Sequence, residues 1–173
     1  FDPNLYSEED RRAITEAFTF ELLKHNIPHP AIYVPGPDMG TNSREMLWMY
    51  IKIADMNQVR NIPNVPASVT GKPVDSNGVP EREDATARGA LIQLKKFFEL
   101  SGYGFSERPR LAIQGFGNVG ANLARLASEK GFNFNCVAVS DVVAGVYNPH
   151  GLHVSALFEW YQKNRTFEGY PNA

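Results

Sequence analysis

Three glycines and one aspartate in the second half of the chain have the spacing of a ligand-binding site. Gly115, Gly117 and Gly120 form the pattern Gly-x-Gly-x-x-Gly, and Asp141 follows 21 positions after the last of them. In this pattern the first glycine makes a tight turn, the second lets the backbone approach a pyrophosphate, and the third lets a helix pack closely on a strand. An acid about 20 residues further on is suited to bind ribose hydroxyls. The spacing therefore predicts a dinucleotide site.

The elements that must position these residues can be predicted from the flanking sequence. The apolar run Leu111–Ile113 predicts a strand before the glycines, and Cys136–Val139 predicts a second, buried strand that ends next to Asp141. Between them a helical pattern extends to Gly131, with an apolar face formed by Val119, Leu123 and Leu126. A helix N-terminus in the glycine turn offers free N–H groups to phosphates. The alternative is a glycine-rich turn that binds nothing.

Composition excludes several other classes of protein. Hydrophobic residues make up 43% of the 173 residues, which predicts a packed core, and the net charge of −2 gives no basic excess for nucleic acid or anionic membrane. The single cysteine, Cys136, excludes a disulfide framework and favours a reducing compartment. The four histidines lack the spacing of metal ligands, so no metal site is expected.

The first half of the chain predicts two helices and a short strand. Ser7 can cap a helix whose apolar residues recur at helical spacing: Ile14, Ala17, Phe18 and Leu22. The run Ala31–Val34 predicts a strand. A second helix, near residues 44–56 and capped by Asn42 or Ser43, is apolar on nearly every side, so we expect it to be covered by other subunits or by further chain.

The remaining segments alternate between loops and helices. Residues 57–82 predict a long irregular connection, in which Lys72 is interpreted as a solvated loop lysine. A third helix is predicted over Arg82–Leu100, a loop over residues 142–151 and a last helix over Val154–Asn164. Only 64 residues remain from Arg110 onward, which is room for one half of a doubly wound dinucleotide domain.

Several motifs, in order along the chain, resemble those of the glutamate/leucine/phenylalanine/valine dehydrogenase family. Residues 34–42 are similar to the family's P-A-P-D-x-G-T-N segment, although Gly36 replaces the usual alanine. Residues 69–73 match V-T-G-K-P, residues 82–89 resemble R-x-x-A-T-x-R-G, and residues 147–151 match Y-N-P-x-G. Together with G-F-G-N-V-G at residues 115–120, these motifs resemble the glutamate branch of the family.

The resemblance implies an α/β fold in two domains. Residues 1–75 would be the end of the substrate and oligomerisation domain, and residues 76–173 the first half of a Rossmann-type doubly wound dinucleotide-binding domain. The family's segment with the catalytic and substrate-binding lysines would lie upstream of Phe1. The chain is therefore expected to be an internal fragment that is inactive alone.

The resemblance also assigns roles to individual residues. Asp38 would be the catalytic base, whereas the sequence by itself also allows a turn or helix-capping aspartate. Thr86 would bind the nicotinamide carboxamide with Arg82 nearby, against the alternative of a helix-start threonine bonded to its own backbone. The residues of the glycine turn would bind the cofactor: Gly115, Phe116, Gly117, Asn118, Val119 and Gly120. Asp141 would bind the adenine ribose.

The implied activity is the NAD- or NADP-dependent oxidative deamination of L-glutamate to 2-oxoglutarate and ammonia, and its reverse. Asp141 disfavours a 2′-phosphate and so favours NAD, but family members with this Ser-Asp pair do not all exclude NADP. A homo-oligomer, commonly a hexamer, in the cytoplasm or the mitochondrial matrix is expected, with neither nucleic acid nor membrane as a partner. The alternative is a non-catalytic nucleotide-binding or scaffolding subunit derived from such an enzyme.

Overall fold

The computed structural model describes residues 3–102, 108–129 and 131–171, which form two compact units, residues 1–82 and 83–173. The first unit is built on two helices, α1 (Glu8–Lys24) and α2 (Ser43–Arg60). Both begin with a capping box: Ser7 exchanges hydrogen bonds with Asp10, and Asn42 does so with Glu45. The predicted caps are therefore confirmed.

The core of the first unit lies between the two helices and the segment that follows them. It contains six buried apolar residues: Leu23, Met46, Met49, Ile53, Ile62 and Val69. Met46, Trp48, Met49 and Ile53 are each at most 7% exposed, so most of the large apolar side chains of α2 are buried within the chain itself. The expectation that α2 needs other subunits to cover it is wrong, because residues 61–69 fold back onto it. Short 3-10 turns at Val65–Ser68 and Val74–Ser76 interrupt the predicted irregular connection.

Two other predictions for this unit are wrong. Ala31–Val34 forms a turn with a single β-bridge between His29 and Tyr33, because the described part of the unit offers no neighbouring strand to take its hydrogen bonds. On α1 the buried residues are Thr19 and Leu23, whereas Phe18 is 56% exposed. Thr19 can be buried because its hydroxyl donates a hydrogen bond to the Thr15 carbonyl.

The second unit is a small α/β layer structure. Its elements are α3 (Ala85–Ser101), β1 (Arg110–Gln114), α4 (Asn118–Ala127), β2 (Asn135–Ser140), β3 (Gly145–Tyr147) and α5 (Val154–Asn164). The sheet has the order β1-β2-β3, with β1 and β2 parallel and β2 and β3 antiparallel. The predicted strand–helix–strand unit and last helix are confirmed. The predicted loop over residues 142–151 is wrong in part, because three of its residues pair with β2 as β3.

The bounds of two helices also differ from prediction. Helix α3 begins at Ala85 and not at Arg82, because a turn that includes Glu81 at φ +64° precedes it. Helix α4 ends at Ala127, well before Gly131. Val119 lies 43% exposed on α4, because the buried face is formed by Ala121, Ala124, Leu126 and Ala127. Small residues on that face allow the helix to lie close to its neighbours.

Candidate functional site

The loop that carries Asp38 is held in shape by hydrogen bonds with Thr41. The Asp38 N–H donates to the Thr41 hydroxyl at 2.8 Å, and the Thr41 N–H and hydroxyl both donate to the Asp38 carbonyl at 2.9 Å. The Asp38 side chain is exposed, and its Oδ1 accepts the Met39 N–H at 2.7 Å. The carboxylate is thus oriented by its own loop and open to solvent.

The V-T-G-K-P segment lies against the residues that lead into this loop. The Thr70 N–H donates to the Pro35 carbonyl at 2.9 Å. Gly71 has φ +79°, and a Cβ placed there would lie 2.5 Å from Cδ of Pro37. Only glycine combines this backbone conformation with so close an approach. The segment therefore supports one side of the Asp38 loop.

Lys72 is the buried support of that segment. It is 6% exposed, and its Nζ donates hydrogen bonds to the carbonyls of Val69 at 2.6 Å and Pro66 at 2.8 Å, with the Tyr50 ring at 5.4 Å. Burial lowers the pKa of Lys72. The interpretation as a solvated loop lysine is wrong. A sequence signal existed, because Lys72 is the only charged residue in the 14-residue stretch 61–74.

A partly buried ion pair fixes the other end of the Asp38 loop. Glu45 is 3% exposed, accepts the Asn42 N–H at 2.8 Å through Oε2 and accepts a hydrogen bond from Arg11 through Oε1. Arg82 lies beside the residues that precede Asp38. A Cβ built on Gly36 would be 4.0 Å from its Nη2. The sequence did not predict this pair, because Arg11 and Glu45 are 34 positions apart.

The glycine turn of the second unit has the geometry of a phosphate cradle. Gly115 has φ +87°, and its N–H donates to the Ser140 carbonyl at 2.8 Å, which ties the turn to the end of β2. A Cβ on Gly120 would lie 1.9 Å from the Gly115 carbonyl oxygen, whereas one on Gly117 would meet nothing within 4 Å. The helix thus packs directly on the turn, while the outer side of Gly117 stays open. No side chain caps α4, so its first N–H groups are available to a phosphate.

Phe116 does not present its ring on the open side of this turn. It is 2% exposed and packs against Phe167, Tyr161 and Phe158, with ring centroids 4.9, 5.2 and 6.4 Å away. Its backbone is therefore the part that a cofactor could contact. The ring anchors the turn to α5 and to the tail that follows α5.

Asn118 and Asp84 join the start of α3 to α4. The Asn118 Nδ2 donates to the Glu83 carbonyl at 3.0 Å, and Asp84 accepts hydrogen bonds from Arg88 at 3.0 Å and Arg125 at 2.8 Å. The two guanidinium groups lower the pKa of Asp84, which keeps it ionised. Thr86 is exposed in the first turn of α3, and its hydroxyl makes no hydrogen bond among the described residues. Its hydroxyl is therefore not used by its own backbone.

Asp141 follows β2 directly and is bound by backbone N–H groups. Oδ1 accepts from Val143 at 2.6 Å and from Ala144 at 2.7 Å, and Oδ2 accepts from Phe167 at 2.5 Å. Burial raises the pKa of Asp141, but these N–H groups and the Thr166 hydroxyl outweigh burial and lower the pKa overall. The carboxylate is thus a fixed negative charge at the carboxyl end of the sheet.

Neither a metal site nor a membrane-spanning helix is found among the described residues. Within the described ranges, no group of three or more histidine, cysteine, aspartate or glutamate side chains could hold a metal ion. None of the helices described has the length and apolar character needed to span a membrane. The organised polar groups are therefore those of the Asp38 loop in one unit and of the glycine turn in the other.

Comparison with known proteins places these features in a family. The model for Glutamate/Leucine/Phenylalanine/Valine dehydrogenase matches residues 78–173, and that for the Glu/Leu/Phe/Val dehydrogenase dimerisation domain matches residues 1–55. A mitochondrial glutamate dehydrogenase of Dictyostelium discoideum is 35% identical over 99% of this chain and 35% of its own length.

Solved structures agree with that result. A hetero-hexameric glutamate dehydrogenase from Thermus thermophilus, in a leucine-bound form, has a TM-score of 0.85 and 29% identity over 95% of this chain and 38% of its own. Glutamate dehydrogenase from Peptoniphilus asaccharolyticus has a TM-score of 0.71 and 25% identity over 96% of this chain and 41% of its own. The expected α/β fold with a Rossmann-type unit is confirmed, and the chain spans about two fifths or less of these relatives. The chain belongs to the glutamate/leucine/phenylalanine/valine dehydrogenase family.

Proposed function

We propose that the protein containing this chain is an NAD(P)-dependent glutamate dehydrogenase. The observation that carries the cofactor part is the glycine turn, where a Cβ on Gly120 would lie 1.9 Å from the Gly115 carbonyl oxygen and a Cβ on Gly117 would meet nothing within 4 Å. A turn built so closely, directly before an uncapped helix and between parallel strands, is suited to a dinucleotide pyrophosphate. Similarity to glutamate dehydrogenases over 95% or more of the chain supports glutamate as the substrate.

The two units would divide the work between substrate and cofactor. Residues 1–75 would belong to the substrate and oligomerisation domain, in accordance with the dimerisation-domain match to residues 1–55. Residues 76–173 would form the first half of the dinucleotide-binding domain. The full protein would form a hexamer, as the Thermus thermophilus relative is hexameric. It would lie in the cytoplasm or the mitochondrial matrix, and the Dictyostelium relative is mitochondrial.

Each candidate residue has a defined task in oxidative deamination. When bound, the nicotinamide accepts hydride from the α-carbon of the substrate. Asp38 would remove a proton from the substrate ammonium group and release it to solvent; it would then take a proton from the water that adds to the imine carbon and pass that proton to the nitrogen, which leaves as ammonia. Its exposed carboxylate and its loop, fixed by Thr41, suit that task.

The cofactor would be held by the second unit. Backbone N–H groups of Asn118, Val119 and Gly120 would bind the pyrophosphate, and the free Thr86 hydroxyl would bind the carboxamide. Asp141 would accept a hydrogen bond from the ribose 2′-OH. Since its charge is fixed beside three N–H groups, it would repel a 2′-phosphate, which favours NAD over NADP.

The test is an assay of the full-length protein with four amino acids and both cofactors. We expect turnover with L-glutamate to exceed that with leucine, phenylalanine or valine. Asp38→Asn should lower kcat by about 10²- to 10⁴-fold with little change in the affinity for the dinucleotide. Asp55→Asn, an exposed aspartate on α2, is the matched control and should leave kcat unchanged. Preference for another of the four amino acids would refute the substrate assignment.

A second candidate function is a non-catalytic subunit, which the hetero-hexameric relative favours because its assembly contains more than one kind of subunit. A full-length protein that binds a dinucleotide but oxidises none of the four amino acids would support this alternative. Measurement of activity after mixing with a catalytic homologue would then show whether the subunit regulates its partner.

A further inference from the structure

The segment that follows α5 is packed into the second unit. The Thr166 carbonyl accepts a hydrogen bond from Nε1 of Trp160 at 2.8 Å, and Phe167 is only 2% exposed. The Tyr170 N–H donates to the Phe167 carbonyl at 3.0 Å, which closes a turn after Phe167. Phe167 is therefore held on both sides along the chain, so its ring and its N–H have defined positions.

The ring of Phe167 contacts the glycine turn through Phe116. Their centroids are 4.9 Å apart at an interplanar angle of 70°, an edge-to-face contact, and Tyr161 packs on both rings at 5.1 and 5.2 Å. Of residues 115–117, only Phe116 has a side chain, so its ring is the one means by which neighbouring side chains can fix the turn. Displacement of this ring would therefore displace the backbone of Gly115 and Gly117.

The backbone of Phe167 contacts the second cofactor element. Its N–H donates to Oδ2 of Asp141 at 2.5 Å, while Val143 and Ala144 occupy Oδ1. These last two belong to the turn that directly follows Asp141, whereas Phe167 is 26 positions away. Among the residues that the structure describes, Phe167 is thus the one distant residue that orients the carboxylate through its backbone.

We propose that Phe167 is a positioning residue for the dinucleotide, which fixes the glycine turn through its ring and the ribose-binding acid through its N–H. This inference rests on the proposed function of the glycine turn and Asp141. One residue would thereby set the distance between the site for the pyrophosphate and the site for the ribose. Because a ligand bound at two points is sensitive to their spacing, removal of the ring should weaken dinucleotide binding although the ring itself is buried.

The experiment measures dinucleotide affinity in the full-length protein by calorimetric titration of NAD and NADP. Phe167→Ala should raise Kd about tenfold and change the ratio of the two Kd values, because without the ring the segment that carries the Phe167 N–H shifts relative to Asp141. Phe167→Leu, which keeps an apolar side chain in the turn, should recover much of the affinity. The KM for glutamate at saturating cofactor should stay within about twofold of wild type, since the first unit is unchanged.

Phe134→Leu is the matched control for lost packing. Phe134 is 1% exposed and lies in a different core cluster, with Leu91 and Leu126. It should lower Tm at least as much as Phe167→Leu and leave both Kd values unchanged. If the Phe167→Ala protein does not fold, Phe167→Leu compared with Phe134→Leu still gives the answer.

A double-mutant cycle tests the route of the effect. If Phe167 acts through Asp141, Phe167→Leu and Asp141→Asn together should weaken NAD binding by less than the product of their separate effects. If the wild-type protein binds the dinucleotide and both Phe167 variants keep its Kd values, this inference alone is overturned. Absence of dinucleotide binding by the wild-type protein would overturn the proposed function, and this inference with it.

Discussion

At the scale of single residues, three charged side chains make hydrogen bonds that hold them to the protein. Lys72 donates to two carbonyls, Glu45 accepts from Arg11 and from the Asn42 N–H, and Asp141 accepts from three N–H groups. Each lies under or beside a loop of the candidate site. These three charged side chains therefore hold loop backbones in place.

Substitution of Asp141 should change the choice of cofactor. Asp141→Ser removes the negative charge that would repel a 2′-phosphate and shortens the side chain that would reach the ribose. In the full-length protein, kcat/KM with NADP should improve relative to NAD, by about tenfold or less. A ratio that does not move would show that Asp141 is not at the ribose.

Asp141 should also make stability depend on pH. Its folded-state pKa is lowered, so its contribution to the free energy of unfolding is fully present above the unfolded-state value of about 3.9 and is lost as pH falls through the folded-state value. We expect Tm to be higher for the wild type than for Asp141→Asn at about pH 6, with the difference shrinking in acid. Calorimetric scans from about pH 7 to pH 3 measure it. A difference that grows on acidification would contradict the lowered pKa.

Lys72 offers a prediction that links a buried lysine to catalysis. Lys72→Met keeps the apolar stem but leaves the Pro66 and Val69 carbonyls without their donor, which should cost about 1–3 kcal/mol of unfolding free energy. Because residues 69–73 support the Asp38 loop, kcat should fall as well. Lys24→Met, at an exposed lysine on α1, is the control. Equal Tm and kcat in the two variants would show that the buried hydrogen bonds are unimportant.

At the scale of elements, the glycines of the turn should separate folding from binding. Gly120→Ala places a Cβ 1.9 Å from a carbonyl oxygen, so both Tm and dinucleotide affinity should fall, with a stability loss of about 1–3 kcal/mol or more. Gly117→Ala meets nothing in the protein, so only affinity should fall.

Gly89→Ala is the control, because Gly89 lies exposed in α3 with no neighbour near its missing Cβ. It should raise stability slightly, by about 0.5–1 kcal/mol. Thermal scans and cofactor titrations on the three variants measure both quantities. If Gly117→Ala lowered Tm as well as affinity, the turn would be packed from outside by protein rather than by a ligand.

The sequence predicted elements well where the signal was local. Ser7 and Asn42 marked helix starts through capping boxes, and Val154–Asn164 was correct at both ends. Two short segments whose state depends on an available strand edge were predicted wrongly. Strand β3 is three residues long and forms because β2 offers its edge, whereas Ala31–Val34 has the composition of a strand but no described partner.

The same distinction holds for the candidate site. Glycine spacing and motifs predicted a glycine turn and an acid after β2, because those features are contiguous along the chain. The supports of the site were missed because their partners are far apart in sequence: Arg11 with Glu45, Asp84 with Arg125, and Phe116 with Phe167. No periodicity or spacing rule identifies such pairs.

At the scale of the whole molecule, the chain should not act alone. It covers only 35% of the Dictyostelium relative and 38% of the Thermus thermophilus one. Since an active site of this family would draw on the rest of those chains, the isolated 173 residues should show no measurable glutamate oxidation. Turnover by the purified fragment at the rate of the full protein would overturn the placement of the catalytic groups.

Assembly of the full protein is expected from exposed apolar side chains of the first unit, and not from α2 as the sequence predicted. Apolar side chains of the first unit that remain exposed include Leu5, Phe18, Ile32, Tyr33 and Met39. Most lie within residues 1–55, which match a dimerisation domain. Isolated apolar residues on a surface are ordinary, so it is the match to a dimerisation domain that leads us to expect these side chains to be covered in the assembly.

We therefore expect the full-length protein to be a hexamer in light scattering, and the isolated fragment to associate through its first unit or to be poorly soluble. Ile32→Asp places a charge at a site that is 66% exposed, so it should weaken assembly without lowering the stability of the subunit. Ile92→Asp, at a 52% exposed position on α3 outside the dimerisation match, is the control and should leave the hexamer intact. A monomeric full-length protein would show that upstream or downstream segments of the same chain cover these residues, and a hexamer unaffected by Ile32→Asp would place the subunit contact elsewhere on the first unit.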